Sequence, residues 1–476
     1  MATDSIADAT QEYAPFKVEQ RGIDLIPAAE RKMTPGGLFW LWAGAVFNVE
    51  FFFYGFLIST FGLSFGQCLL AIIVGNLFYA LLGLASLQGP AVGTTAFVVS
   101  RAPFGRNGNR IVALFNWITQ VGFEVEGVFL VVATVLFLFT RYGSALPDTA
   151  KLVVVILAAA VQLVIPFFGH ATITKALRYL SYVFIVLFAI LAILVFQDLH
   201  GVSFAGTASW ADWTTGLVVI ISVGGLGWTE NGNDYSRYLP ADTPKVKTFL
   251  AATLGPGIPS VLLEILGALA ATATTQTLAI QGLSIPQAFP DWFVLPFMLL
   301  AIVQLFAINT IDLYSSGVTL QALGVPIKRW GAVVIDTVIV AIVTAIVLFH
   351  GDFYSDLTGF FTYIVVWLGP WFAILIVDYA LRRGRYDANS LAAPHGGLYW
   401  RNGGIHWPAL IAQALGMIAS LLWIDAAFAV PSFVGPISSA LQGSDLSWLL
   451  GIVVGGLVYW ILAASGVRHE AAAPAT

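Results

Sequence analysis

Gln120, Phe123, Glu124 and Glu126 stand close together inside one apolar stretch, Gln120-Val-Gly-Phe-Glu-Val-Glu126. Gln120 and Glu124 are four apart and share a helical face, with Phe123 flanking Gln120 at three. An amide, a carboxyl and a ring on one stripe suit a flat polar heterocycle; the same stripe would also serve ordinary interhelical hydrogen bonding. Glu124 and Glu126 are two apart, about 200° around a helix, so only one of them can face what Gln120 faces. Glu50, Glu230, Asp234, Glu264, Asp312 and Asp336 also lie in apolar stretches, with no Lys or Arg at matching depth. A carboxylate without a cationic partner is either protonated or meets a mobile cation. The pattern therefore points to cation coupling, with protons the simplest reading and sodium the other. Acids near the ends of a stretch would reach water, and a structural role is equally open for Glu264 and Asp336.

Two apolar stretches are interrupted by glycine and polar residues, at Gly44-Ala-Val-Phe-Asn48 and at Gly224-Gly-Leu-Gly-Trp-Thr-Glu-Asn-Gly-Asn-Asp234. Backbone carbonyls freed between Gly44 and Asn48 could coordinate a cation or a ligand N–H. An unwound helix in hydrocarbon persists only where it faces protein or a wet cavity, and paired breaks in corresponding positions of two halves mark a carrier's binding site. The glycines around 225 do not read as a phosphate cradle, since no strand precedes them and the spacing is wrong. Gly255-Pro256-Gly257 and Gly369-Pro370 read as hinges or kinks. A third polar run, Asn309-Thr-Ile-Asp-Leu-Tyr-Ser-Ser-Gly317, allows close helix packing. Asn309, a two-way hydrogen-bonding amide, is its candidate for reading a ligand.

The elements that must hold these residues are membrane helices. Hydrophobic residues form 58% of the chain and charged ones 10%, and the mean hydropathy is +0.86; soluble domains carry about 25% charge. A net charge of −5 argues against a nucleic-acid partner. A single cysteine, Cys68, excludes a disulfide framework or cysteine-rich metal site, and the six scattered histidines form no metal-spaced pair. The polar, acid-containing first 36 residues do not read as a cleavable leader. Apolar stretches long enough to cross a bilayer fall near 37–60, 66–88, 111–140, 152–168, 177–197, 214–230, 248–271, 292–321, 331–349, 357–380, 407–424 and 446–466, which predicts twelve transmembrane helices. Of the 21 Lys and Arg residues, 19 fall in the termini and alternate loops, leaving Arg141 and Lys151 on the opposite side. That asymmetry predicts cytoplasmic termini. The expected organisation is a cytoplasmic tail over 1–36, one membrane domain over 37–467 and a cytoplasmic tail over 468–476, both tails mobile.

Asn231-Gly-Asn-Asp-Tyr-Ser-Arg-Tyr-Leu-Pro240, following a Gly-Trp pair, resembles the signature after the sixth span of nucleobase–cation symporters of the purine-cytosine permease type. Ser100-Arg-Ala-Pro-Phe-Gly105, Trp117-Ile-Thr-Gln-Val-Gly-Phe123 and Asn309…Tyr314-Ser-Ser-Gly317 are similar too, and the likeness runs over nearly the whole membrane domain. The resemblance implies an all-α integral membrane protein, a five-plus-five inverted-repeat bundle with broken helices one and six and two extra helices. It implies a plasma-membrane importer of a nucleobase, driven by cation symport, with no cofactor, no enzymatic activity and no obligatory protein partner. By the same resemblance Gln120 and Asn309 would hydrogen-bond the base and Phe123 would stack on it. The second stacking position aligns with Gly225, and Trp228 supplies that ring only if the unwound segment shifts. Glu124, Glu126, Asn48 and Gly44 are the candidates for cation coupling. Sodium-dependent relatives carry hydroxyls just before the span-eight asparagine, where this chain has Ala307 and Ile308; that departure favours protons. Phe instead of Trp at 123 leaves open allantoin, a hydantoin, a nucleoside or a vitamin-type pyrimidine as cargo. A channel or a membrane-embedded enzyme is the reading from another class, and the sequence holds neither a filter loop nor a catalytic constellation.

Overall fold

The structure, a computed structural model, describes residues 15–273 and 290–472 apart from 20, 428 and 430. The outermost parts of both expected tails and most of the loop expected at 272–291 lie outside the described residues.

Helix α1 (Pro35–Val46) begins where its sequence dictates: Thr34 accepts the Gly37 N–H at its hydroxyl, and Pro35 occupies the first turn. The helix stops at Phe47. Asn48 is extended, with φ −139° and ψ 149°, and caps α2 (Val49–Ser59) by accepting the Glu50 N–H at 3.2 Å. The two halves are bent by 55°. The second apolar span, 65–92, is also segmented, into α3 (Phe65–Asn76), α4 (Tyr79–Ala85) and α5 (Gln88–Val92). Two short helices, α6 (Ala96–Val99) and α7 (Arg101–Phe104), lead to α8 (Asn109–Tyr142), the third span. Next come α9 (Asp148–Gln162), α10 (Val164–Phe168) and α11 (His170–Gln197). The sixth span is α12 (Trp210–Val223), an unwound segment, a 3₁₀ turn at Thr229–Asn231 and α13 (Gly232–Ser236). The remaining helices are α14 (Lys245–Ala273), α15 (Asp291–Leu323), α16 (Arg329–His350), α17 (Phe353–Leu381), α18 (Ala388–Ala392), α19 (Trp407–Trp423), α20 (Pro436–Ala440) and α21 (Ser447–Ala472). Among the described residues nine helical spans are long and apolar enough to cross a bilayer, ten with the bent α1–α2 pair; α12 and α19 are shorter apolar helices at the sixth and eleventh expected positions.

Spans three and eight, α8 and α15, run against each other through the middle of the bundle, and α14 crosses both halves of span one. Helices α17, α19 and α21 pack on one another, and α17 also touches α8 and α12. Gly44 lets α1 approach α11 closely, because a Cβ there would overlap the Leu177 carbonyl and the Ser181 hydroxyl.

Neither expected tail is wholly free. Residues 468–472 continue α21, where Glu470 accepts from Arg401 Nε at 2.5 Å and Arg382 Nη2 at 3.0 Å. Arg382 also donates to Asp378, which takes the Tyr459 hydroxyl as well. At the other end, residues 16–33 form a strap across the bundle. Ile26 N–H donates to Gly93 O at 2.8 Å, Met33 N–H to Tyr238 O at 3.0 Å and Arg237 to Gly22 O at 2.7 Å. The Glu19 carboxylate accepts from the His170 N–H at 2.9 Å and from the hydroxyls of Tyr238 and Tyr314, with Arg329 at 3.9 Å. Paired acids and backbone turns, not apolar periodicity, hold this segment down, so hydropathy alone reads it as a tail.

Candidate functional site

Helix α12 ends at Val223, and its freed Val223 carbonyl accepts the Trp228 indole N–H at 3.1 Å. That bond, with the edge of Trp42 5.6 Å away at 76°, fixes the Trp228 ring. Phe123 on α8 lies nearly parallel to it, with centroids 6.3 Å apart and planes 15° apart. Phe360 braces Phe123 edge-on at 5.0 Å. Two flat aromatic faces from different spans thus confront one another, an arrangement suited to a planar ring. Gly225 takes no part in them: a Cβ there would overlap the backbone of Phe78 and Tyr79, so this glycine seats the unwound segment on the α3–α4 junction.

Gln120, one turn before Phe123, reaches across to the same segment. Its Nε2 donates to Glu230 Oε1 at 3.2 Å and to Asn231 Oδ1 at 2.8 Å. Glu230 and Asn231 stand on the 3₁₀ turn beside Trp228 and are fully buried.

The two carboxylates of α8 point in different directions, as their angular spacing requires. Glu126 accepts the Tyr54 hydroxyl at 2.8 Å and lies within electrostatic reach of Glu50 and Asp312, joining spans one, three and eight. Glu124 faces the other way, towards Asp336 on α16. Asp336 itself is bound, accepting from Trp117 Nε1 at 2.8 Å and from Ser316 Oγ at 2.5 Å. With the Ser316 proton spent on Asp336, neither Glu124 oxygen has a hydrogen-bond partner among the described residues. Glu264 joins a packing network, accepting from Asn76 at 2.5 Å and Ser260 at 2.9 Å.

At the break in span one, the freed Val49 N–H donates to Gln304 Oε1 of α15 at 3.0 Å. Asn48 serves there as a helix cap. Asn309, on α15, is held by groups of α8 and α9. Its amide donates to Glu124 O at 3.2 Å and Gln162 Oε1 at 2.9 Å, and its side chain occupies the space where Gly127 lacks a Cβ.

A profile for a family described as permease for cytosine/purines, uracil, thiamine, allantoin matches residues 25–451. The chain belongs to this family. It is a transporter of the nucleobase–cation symporter type and not an enzyme. YxlA of Bacillus subtilis is 29% identical over 96% of this chain and 98% of its own length. The purine-cytosine permease FCY2 of Saccharomyces cerevisiae is 24% identical over 94% and 86%. Among solved structures, Mhp1, a nucleobase-cation-symport-1 family transporter in a closed conformation with bromovinylhydantoin bound, superposes with a TM-score of 0.69. The alignment covers 96% of this chain and 99% of Mhp1 at 18% identity. The fold of this permease is therefore the five-plus-five inverted-repeat bundle.

Against the expectations for this permease, the structure brings Gln120, Phe123 and Trp228 together and sets Asn309, Gly225 and Gly44 in helix-packing roles in this conformation. The signature string also has a structural task. Asp234 accepts the Ala96 N–H at 2.9 Å, Asn233 donates to Gln88 at 2.9 Å and the Tyr235 hydroxyl donates to Ile311 O at 2.9 Å. Glu230 was expected only as one of the unpaired acids, and Asn231, Gln304 at the break and Tyr54 beside Glu126 were not among the expected site residues. Gln304 carried a readable signal, an isolated amide inside an apolar span. Asn231 needed the fold of the unwound segment, and Tyr54 the packing of span one on span three.

Proposed function

We propose that this permease imports a nucleobase, cytosine or a purine, across the plasma membrane by proton symport, with both termini in the cytoplasm. The observation that carries the cargo is the pair of near-parallel rings, Phe123 and Trp228, with the Gln120–Glu230–Asn231 amide and carboxylate cluster beside them. Stacking accepts any flat heterocycle, and the polar cluster selects among them by hydrogen bonding. The relatives bearing the purine-cytosine permease name, FCY2 of Saccharomyces cerevisiae and fcyB of Emericella nidulans, support the same cargo. The membrane unit that would do this is the single domain over 37–467, and the Lys and Arg asymmetry supports the orientation.

Proton coupling rests on the donor inventory. Glu50, Glu124, Glu126, Glu230 and Asp312 are buried carboxyl groups without a cationic partner within the described core. At the positions before Asn309, Ala307 and Ile308 offer no side-chain oxygen, while a hard cation wants several oxygen ligands. Carboxyls that gain and lose a proton between the outward and inward states would tie proton movement to rocking of the bundle. By reciprocal linkage, substrate and proton would then each strengthen the binding of the other.

The test is uptake of labelled cytosine into proteoliposomes under imposed gradients. An inward proton gradient should drive accumulation above the equilibrium level, and a sodium gradient at constant pH should not. Sodium-driven accumulation that ignores pH would overturn proton coupling. A competition panel of cytosine, adenine, hypoxanthine, uracil and allantoin tests the cargo, and preferential inhibition by allantoin would move the assignment away from nucleobases.

A further inference from the structure

Glu124 is fully buried, and neither of its oxygens has a hydrogen-bond partner among the described residues. It stands one turn along α8 from Gln120 and faces a second buried carboxyl, Asp336 of α16, across the Ser316 hydroxyl of α15. Two bonds fix the register of α8 against α15: Asn116 Nδ2 donates to Thr319 Oγ1 at 2.9 Å, and Asn309 Nδ2 to Glu124 O at 3.2 Å. Ser316 falls between Asn309 and Thr319, so it lies level with the turn of α8 that precedes Glu124. Helical side chains lean towards the start of their helix, which brings the Glu124 carboxyl down to that hydroxyl. Ser316 Oγ is 2.5 Å from Asp336 Oδ2. Trp117, on the same face of α8 as Glu124, donates its Nε1–H to Asp336 Oδ1 at 2.8 Å. Asp312 of α15 is the other acid within reach of Glu124, and no ion pair among the described residues includes Glu124 or Asp336. Two carboxyls that flank one hydroxyl without a counter-ion titrate as a unit, since the first charge opposes the second. The singly charged pair has two arrangements, with the proton on Glu124 or on Asp336. The Trp117 N–H serves both, because Oδ1 accepts it whether or not Oδ2 carries a proton.

We propose that Ser316 relays the coupling proton between Glu124 and Asp336, carrying it from the level of the site towards the end of the bundle where α8 and α16 begin. The inference rests on the proton-coupling reading above and gives that proton a route. Glu124 releases its proton to Ser316 Oγ as the Ser316 proton passes to Asp336 Oδ2. Two O–H bonds break and two form, the hydroxyl is restored, and the single negative charge moves from Asp336 to Glu124. The reverse shift resets the pair. Trp117 and Asp336 lie about 10–12 Å along α8 and α16 from the first residue of each. That is the side on which Arg329 stands beside Glu19 of the strap. A hydroxyl both accepts and donates, which such a transfer requires; a methyl group in its place passes no proton.

The test compares two modes of labelled cytosine transport in proteoliposomes: accumulation driven by an inward proton gradient, and cytosine-for-cytosine exchange without a gradient. Exchange returns the carrier loaded and needs no proton release, so cutting the relay should spare it. Ser316→Ala should slow proton-driven accumulation at least about tenfold, the scale of a lost proton-transfer group, while exchange stays within about twofold of native. Ser316→Thr, which keeps the hydroxyl, should restore accumulation. Native-like accumulation in Ser316→Ala would overturn the relay, and so would equal loss of both modes, which marks a packing role. Should Ser316→Ala fail to fold, Asp336→Asn takes its place, since an amide still accepts from Trp117 and meets Ser316 but takes up no proton. Loss of accumulation with exchange intact in that variant supports the relay, and retained accumulation overturns it. A native protein that accumulates cytosine on a sodium gradient and ignores pH removes the proton reading, and the route with it. Proton-driven native uptake with an unimpaired Ser316→Ala removes the route alone.

Discussion

At the scale of single residues, the site depends on how few of its polar groups are free to turn. The Trp228 indole is tied to the Val223 carbonyl, and both Gln120 amide hydrogens are tied to the span-six turn. A planar ligand meeting these groups finds them already oriented, which reduces the ordering cost of binding. Removing one aromatic face should therefore weaken binding without unfolding the bundle. Stacking of a base on an aromatic side chain is worth about 1–3 kcal/mol, so Trp228→Ala should raise the KM for cytosine by about 5- to 150-fold. Initial-rate uptake, with surface expression measured in parallel, checks this; an unchanged KM would remove Trp228 from the site. The residue types on α8 were readable as chemistry from spacing alone, including the divergence of Glu124 and Glu126. Which groups they meet was not, because those partners come from spans far away in sequence: Tyr54 for Glu126, the neighbourhood of Asp336 for Glu124.

At the scale of elements, both interruptions are held open by contacts from other helices. Span one bends by 55° because Asn48 caps the second half and Gln304 takes the Val49 N–H that the break exposes. Span six unwinds where Gly225 presses against the backbone of Phe78 and Tyr79. A methyl group at 225 has nowhere to go, and overpacking against backbone typically costs about 1–3 kcal/mol or more. Gly225→Ala should therefore lower the melting temperature of the purified permease by several degrees, on the order of the shift expected for a few kcal/mol, and abolish uptake. Gly466→Ala, where a Cβ would meet nothing within 4 Å, should leave both unchanged. Equal melting temperatures for the two variants would show that the tight seat of span six is not essential. The interruptions in the structure, at Phe47–Asn48 and after Val223, fall within or beside the two polar runs, because glycine and polar runs inside hydrocarbon-length stretches have few other uses. Gly225 and Gly44 make room for neighbouring backbone here, and in sequence such a glycine looks the same as one that frees a carbonyl for a ligand.

At the scale of the whole molecule, the strap over residues 16–33, apart from 20, ties several spans together. Glu19 joins it to span five, span six and span eight through His170, Tyr238 and Tyr314, beside Arg329. A carrier that exposes its site alternately to each side has to shift spans against one another, so these contacts bear on how readily it does so. Glu19→Gln keeps the shape and removes the charge beside Arg329. Amide hydrogen exchange over residues 16–33 should then quicken by at least about tenfold, since a buried charge pair loses one partner, while exchange in the middle of α17 stays as it was. Unchanged exchange in the strap would mean that its backbone bonds to Gly93 and Tyr238, not the carboxylate, hold it in place. By itself the sequence determined that this is a multi-span helical membrane protein with two broken spans and an excess of buried acids, since hydrocarbon imposes length, composition and backbone pairing on every stretch that crosses it. Only the tertiary structure decided that Trp228 faces Phe123, that Gln120 turns to Glu230 and Asn231, and that Asn309 packs on Gly127. Those outcomes depend on the register and rotation of helices against one another, which side-chain volume and hydrogen-bond direction set jointly and no single span encodes.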